Sequence, residues 1–376
     1  MTMSMEYQLG DRLLISPSEW TNTLKNEYLA EFIKAGGSAV RVISGPDDTL
    51  ASIERTILDI AGDEGYFTAQ LDPSQPDPAG KRPDLHRIDK FFFAVTRDVD
   101  WKARAAEQAK QFLQSRGIYL TEGRALNDLD GIAADNDRDP QDLLNQYQAE
   151  FATPQLRDPA LSVEFRAAVT ALGRAQLIPD SMSPTTEEVL LAWFQGKTLP
   201  GGAAALKKAG VYERIQQANA RFMLASFCHW LPSAGKSGLV VTLDFRPYEH
   251  KRLPHAARIS QQNKLVREAV ERGAAQSELA AILSSFEEAP EISYSDAAYM
   301  QMLTSIRRFI DEIDWLEHFL LVILTTPRFY HSRAFDPTVK RSYFDYDALQ
   351  TRIGLEVHDA GRANPCAALA HLGGPA

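Results

Sequence analysis

The chain has 376 residues, which is enough for one large domain or two ordinary domains with an ample apolar core. Forty basic residues against fifty acidic ones give a net charge of −10. This balance argues against a stand-alone nucleic-acid binder, because such affinity depends largely on Lys and Arg contacts to phosphates. Two cysteines, Cys228 and Cys366, provide neither a disulfide framework nor a zinc spacing, so we expect a cytoplasmic location. The longest apolar run, Phe319 to Leu324, is too short to cross a bilayer, so no membrane partner is expected.

The N-terminal part of the chain predicts a βαβ unit. Ser16 and Pro17 form a helix-start pattern, and that helix should end near Gly36. The next segments predict in turn a buried strand, a helix and a second strand, at 39–44, 49–61 and 66–71. This order is the usual opening of a parallel α/β sheet.

The rest of the chain is mostly helical, with two further strands. Residues 85–230 read as helices and predict a helical insertion or a helical second domain. Buried strands return at 238–243 and 319–325, with helices between them. We therefore expect core segments at 1–84 and 231–352, a helical insertion at 85–230, and a flexible tail at 353–376.

The turn after the first strand lies where a phosphate-binding loop would lie, but its chemistry is incomplete. Such a loop needs the spacing G-x-x-x-x-G-K-[ST], whose glycines and Lys approach the phosphates and whose hydroxyl holds Mg²⁺. Counting from Gly45, the second glycine and the Lys are missing, and only the hydroxyl remains, as Ser52. Asp47 and Asp48 add negative charge where a triphosphate would lie. We interpret the turn as part of a nucleotide-binding scaffold that has lost its nucleotide chemistry.

Two other motifs invite a functional interpretation. The Gly-Lys-Ser run at 235–237 precedes a strand, whereas a phosphate-binding loop follows one, so we do not expect a loop there. Asp244 ends a predicted strand, where α/β sheets build sites. With Phe245 beside it, a structural carboxylate is the favoured interpretation. Glu249 could act as an acid, but no spacing ties it to Asp244.

Five segments in order resemble the ATP-binding protein family of BREX bacteriophage-defence systems, in particular its D-type component. The resemblance covers about residues 28–352. Its segments are YLAEFIKAGGSAVRVISG (28–45), GDEGYFTAQLD (62–72), HRIDKFFFAV (86–95), GVYERIQQANARFMLASFCHWLPSAGKSGLVVTLD (210–244) and LVILTTPRFYHSR followed by SYFDYDALQTRI (321–353). The last one is similar to a sensor strand followed by the family's small-Gly-Thr-Pro-x-Phe-Phe signature, with Thr325 in place of the Gly and Tyr330 in place of the second aromatic residue.

The resemblance implies an α/β fold: a P-loop NTPase (AAA+-like) parallel sheet with a large helical insertion and a truncated C-terminal lid. Relatives carry a full phosphate loop and an Asp-Glu pair in which the Asp supports Mg²⁺ and the Glu polarises water. Here Phe245 follows Asp244, so we expect a pseudo-ATPase with no catalytic residue. Gly45, Ser52 and Asp244 would be vestigial cofactor-binding residues, and no cofactor is expected.

The function that the resemblance implies is a scaffold or regulatory subunit of a BREX-like defence complex. Its partners would be an active ATPase homologue or other subunits, with DNA contacted through the assembly. One alternative is an ATP-binding switch or weak ATPase with a non-standard Mg-ATP site. Another is a DNA-binding adaptor that uses Arg328, Arg333 and Arg341 beside aromatic residues, although this segment could equally be structural. The eight histidines show no metal-ligand spacing.

Overall fold

The computed structural model describes residues 14–75, 83–249, 255–287, 294–326, 349, 352–353 and 369–373. Within these ranges six strands form one sheet. The strands are Leu14–Ile15 (β1), Ser38–Ser44 (β2), Phe67–Leu71 (β3), Leu239–Asp244 (β4), Phe319–Thr325 (β5) and Leu369–Leu372 (β6). Their order is β1-β6-β2-β5-β4-β3, and every pairing is parallel. The predicted α/β class with a parallel sheet is confirmed.

Helices before and after the sheet strands make up most of the remaining described chain. The α-helices are Pro17–Thr23 (α1), Asp47–Asp63 (α2), Ile88–Val95 (α3), Trp101–Ser115 (α4), Leu129–Asp135 (α5), Pro140–Tyr147 (α6), Thr153–Arg157 (α7), Val163–Leu177 (α8), Pro184–Phe194 (α9), Gly202–Lys208 (α10), Ala220–Trp230 (α11), Arg246–Glu249 (α12), His255–Glu271 (α13), Gln276–Glu287 (α14) and Asp296–Asp311 (α15). Leu24–Ile33 and Gln148–Ala152 are π-helical, and Pro179–Ser181, Leu231–Ala234 and Ile313–Trp315 are 3₁₀-helical. Among the described residues, no helix combines the length and apolar character that a membrane span requires.

The central strands are buried because helices cover both faces of the sheet. All seven residues of β5 are buried, as expected of a strand in the middle of a parallel sheet. One face packs against α1, the first π-helix and α2, through residues such as Trp20, Leu24 and Ile57. On the other face the apolar core continues from Val241 and Leu321 into the helical insertion. The insertion and the sheet therefore share one core.

Four residues of the expected flexible tail instead form a strand of the sheet. Residues 369–372, within the segment predicted as loose from 353 onward, form β6 between β1 and β2. All four residues of this strand are buried. The buried Ser44 hydroxyl lies 2.5 Å from Nδ1 of His371 and so ties β2 to β6. A four-residue segment in a Gly-, Ala- and Pro-rich stretch has too weak a pattern to predict a strand, and it forms here because β2 offers an open edge.

Candidate functional site at the carboxyl edge of the sheet

The connection between β2 and α2 is too short to be a phosphate-binding loop. Only Gly45 and Pro46 separate the end of β2 from Asp47, the first residue of α2. The expected helix start, near Thr49, is therefore two residues late. Asp47 and Asp48 stand in the first helical turn, where negative charge is stabilised by the positive end of the helix dipole. Of the eight positions that would form the loop, six (47–52) are already helical.

Gly45 and Ser52 do not converge on one site. Gly45 is buried, and a Cβ added to it would lie 3.3 Å from the carbonyl oxygen of Leu372 on β6. Its small size thus allows close packing of β6. Ser52 is exposed and lies five residues after the start of α2, roughly 7.5 Å along the helix axis. A hydroxyl there is more than a full turn away from the helix N-terminus, where Mg²⁺ would be held.

Asp244 lies at the carboxyl end of β4, as predicted, and Arg246 occupies both of its oxygens. The Arg246 side chain donates from Nε to Oδ1 at 2.8 Å and from Nη2 to Oδ2 at 2.9 Å, and its backbone N–H also donates to Oδ1 at 3.0 Å. The two side chains are only 15% and 14% exposed. The bidentate bond to Asp244 raises the pKa of the Arg246 guanidinium further above its ordinary value.

Arg246 also connects β4 to the start of α2. Its Nη1 donates to Oδ1 of Asp47 at 2.8 Å, across 199 positions of sequence. Asp47 is 83% exposed, so this outer contact is open to water, whereas the contact to Asp244 is largely shielded. We call Asp47, Arg246 and Asp244 the Arg246 bridge. It places a protein cation between the carboxyl end of β4 and the turn that follows β2.

Phe245 stands where the resemblance implies a water-polarising Glu, and it belongs to the core. Its side chain is fully buried, and its ring lies 5.7 Å from that of Tyr248 in a stacked arrangement. Tyr248 in turn stacks on Tyr294 at 4.0 Å. The Phe245 N–H donates to the carbonyl of Leu324 on β5 at 2.9 Å. This position supplies packing and no acid–base group.

Glu249, at the end of α12, is fixed beside the end of β5. One oxygen accepts the backbone N–H of Thr326 at 2.7 Å, and the other lies 3.0 Å from the Thr326 hydroxyl. Burial raises the pKa of the Glu249 carboxyl to about 8, and the charge of Asp244 acts in the same direction. Both carboxyls therefore stand at the carboxyl edge of the sheet, Asp244 at the end of β4 and Glu249 beside the end of β5, although no spacing in the sequence tied one to the other.

A further carboxyl lies under the same edge of the sheet. Glu54 of α2 is 8% exposed and accepts a hydrogen bond from the Thr242 hydroxyl of β4 at 2.7 Å. Burial raises the pKa of Glu54, while bonds from Thr242 and Gln70 oppose that shift. Among the described residues, no group of three or more His, Cys, Asp or Glu side chains could hold a metal ion.

The Gly-Lys-Ser run at 235–237 is a turn that leads into β4, as its position predicted. Gly235 adopts φ +79° and packs closely against Glu107 of α4. The Ser237 hydroxyl donates to the carbonyl of Glu64 at 2.7 Å, and so joins this turn to the one between α2 and β3.

The predicted nucleic-acid-binding residues lie outside the described part of the chain; they are Arg328, Arg333 and Arg341.

The residues present do not fit Mg-ATP. Both oxygens of Asp244 are used by Arg246, the first turn of α2 carries two aspartates, and no Lys stands at the loop position. Sequence reasoning missed Arg246 and Thr326. One feature of the sequence could have pointed to Arg246: it follows a strand-end carboxylate by two residues, which is close enough for its side chain to bond to that carboxylate.

Comparison of the chain with protein-family models, with curated proteins and with solved structures finds no match.

Proposed function

We propose that this protein is a catalytically degenerate ATPase-family subunit that serves as a scaffold or regulatory partner in a BREX-like defence complex. The observation that carries the proposal is the Arg246 bridge. An internal cation holds Asp244, the carboxylate that would support Mg²⁺, and links it to the first turn of α2. A second observation supports it: the position at which a Glu would polarise water is occupied by Phe245, whose ring is buried.

The order of the strands supports an AAA+-like origin for the core. The resemblance implies that the segment containing β5 is a sensor strand. In the sheet β5 lies between β2, which leads into the turn at Gly45, and β4, which carries Asp244. A large helical insertion follows β3, as the resemblance also implies. The sheet would thus be retained as a framework, while its nucleotide site is filled by protein groups.

Calorimetric titration with ATP, with and without Mg²⁺, tests the degenerate site. We expect no heat of binding up to millimolar ATP from the wild-type chain. Binding that disappears in Asp244→Ala or Ser52→Ala would overturn the proposal. A chain that purifies alone from cells expressing its intact operon would overturn the scaffold role, whereas an ATPase homologue that co-purifies with it would support that role.

One observation favours an ATP-binding switch as the second candidate. Asp47 is 83% exposed, so a ligand phosphate could replace it as the outer partner of Arg246 without disturbing Asp244. ATP should then raise the melting temperature of the wild-type chain, and Arg246→Gln should abolish that increase. Equal increases in both chains would place any bound ATP elsewhere.

A further inference from the structure

Two cavities lie on either side of α10 in the helical insertion. The first has a volume of about 170 Å³ and an apolar floor that includes Val189, Trp193, Leu206 and Val211. The second is an open groove of about 420 Å³ between α7, α8, α9 and the end of α10. Neither cavity contacts the Arg246 bridge, so the function proposed above does not use them.

Positive charge is concentrated around these cavities. Their lining includes five cationic residues, Arg174, Lys197, Lys207, Lys208 and Arg214. Within the described part of the chain, none of the five side chains forms an ion pair or a hydrogen bond, and the lining of the two cavities includes a single carboxylate, Glu213. In a chain with a net charge of −10, these exposed cations make the surface around α10 locally basic and attractive to an anion.

The first cavity also offers aromatic surface. Tyr212 lines it and is 70% exposed, so its ring is open to a ligand. Trp193, in the floor of the cavity, is held in place because its indole N–H donates to the carbonyl of Glu213 at 2.9 Å. A cavity of about 150 Å³ is sufficient for one benzene ring, so this cavity of about 170 Å³ has room for one six-membered ring, such as that of a pyrimidine base.

We propose that the surface around α10 binds single-stranded nucleic acid. One base enters the first cavity and stacks on Tyr212, while Lys197, Lys207 and Arg214 neutralise the adjacent phosphates. Lys208 and Arg174 extend the path of the backbone along the second groove. A single strand is favoured over a duplex because the cavity requires a base that is neither paired nor stacked on its neighbours.

The test measures binding of a fluorescently labelled 12-nucleotide single strand over a series of salt concentrations. The variant Lys207→Gln/Lys208→Gln should bind more weakly, and the slope of log K against log salt should become shallower by about 1.4, because each phosphate contact to a single strand contributes about 0.7. The matched control is Lys110→Gln/Lys264→Gln, which removes two exposed lysines that lie near carboxylates on their own helices. It changes the net charge equally and should bind like the wild type.

A second variant distinguishes base recognition from simple charge attraction. Tyr212→Ala should weaken binding of the single strand by about tenfold and leave the salt slope unchanged, since the lost term is stacking. Thermal melting of every variant checks that the fold is retained. Three results would each overturn the proposal: no binding at about 50 mM salt, equal loss in the control variant, or displacement by poly-glutamate as effective as by unlabelled strand. If duplex DNA binds as tightly as the single strand, no unpaired base enters the first cavity, and that part of the proposal is wrong.

Discussion

The guanidinium of Arg246 is bonded to both oxygens of the Asp244 carboxylate, at 2.8 and 2.9 Å. Both side chains are largely shielded from water, so the loss of one leaves the other without compensation for its charge. We expect Arg246→Ala to lower the free energy of unfolding by about 1.5–3 kcal/mol, as measured by urea denaturation.

The control for this substitution is Arg97→Ala. Arg97 is 59% exposed and pairs with its neighbour Asp98, so the change should stay within about 0.5 kcal/mol. Adding Asp244→Asn to Arg246→Ala should recover part of the loss, because the neutral amide needs no counter-charge. If Arg246→Ala unfolds at the same urea concentration as the wild type, the bridge does not stabilise the fold.

The pH dependence of stability should report on Glu249. Burial raises the pKa of this carboxyl from its ordinary value of 4.5 to about 8. Between these values the unfolded chain has released the proton and the folded chain still holds it, so stability falls as pH rises through this window. Below pH 4.5 both states are protonated, and above about pH 8 the loss is complete.

Glu249→Gln keeps an oxygen that accepts the Thr326 N–H, places an amide NH₂ opposite the Thr326 hydroxyl that donates to Glu249, and cannot ionise. The melting temperatures of variant and wild type should therefore be similar near pH 4.5, with the variant higher by several degrees at pH 8.5. Parallel pH profiles for the two chains would show that the Glu249 carboxyl does not titrate in this range.

Gly238 should tolerate no side chain. It adopts φ +148°, and a Cβ there would lie 2.3 Å from the carbonyl oxygen of His318, which accepts the N–H of Leu239 at the start of the β4–β5 pairing. We expect Gly238→Ala to cost several kcal/mol of unfolding free energy, because backbone must move to relieve the contact. Gly62→Ala is the control. Nothing lies within 4 Å of its added Cβ inside α2, so it should stabilise the chain by about 0.5–1 kcal/mol.

Removal of residues 369–376 should lower the melting temperature and cause self-association. Without β6, one edge of β2 loses its backbone partner, and an unpaired edge strand attracts other chains. Leu372→Asp keeps the chain length and should produce both effects, because Leu372 is 3% exposed in the core. Size-exclusion chromatography and thermal melting provide the measurements. A truncated chain that elutes as the intact chain does, with an unchanged melting temperature, would show that β6 is dispensable.

The sequence predicted the strands whose own residues form an apolar pattern. The largely apolar segment at 39–44 and the continuous apolar run at 319–324 predict buried strands, because a parallel sheet buries both faces of its central members. β1 and β6 are short: β1 pairs with β6, and β6 also pairs with the edge of β2. Pairing of this kind is a tertiary property that no local pattern encodes.

Like the sheet, the candidate site could be predicted only in part from the sequence. The position of Asp244 at the end of a strand followed from the apolar run before it. The Arg246 bridge did not, since it requires α2 to begin at Asp47, close to the end of β4. Two acidic residues next to a helix start can be read as repelling phosphate or as favouring the helix terminus, and the structure supports the second interpretation.

The sheet order has a consequence for synthesis of the chain. Val40 of β2 pairs with Leu321, and Val42 pairs with Leu369, so both neighbours of this strand emerge from the ribosome long after it does. During translation β2 presents apolar side chains and two unpaired edges, while the helices between have time to form. Completion of the sheet thus waits until residues 369–372 have been synthesised, and chaperones that shield extended apolar segments should raise the yield of native protein.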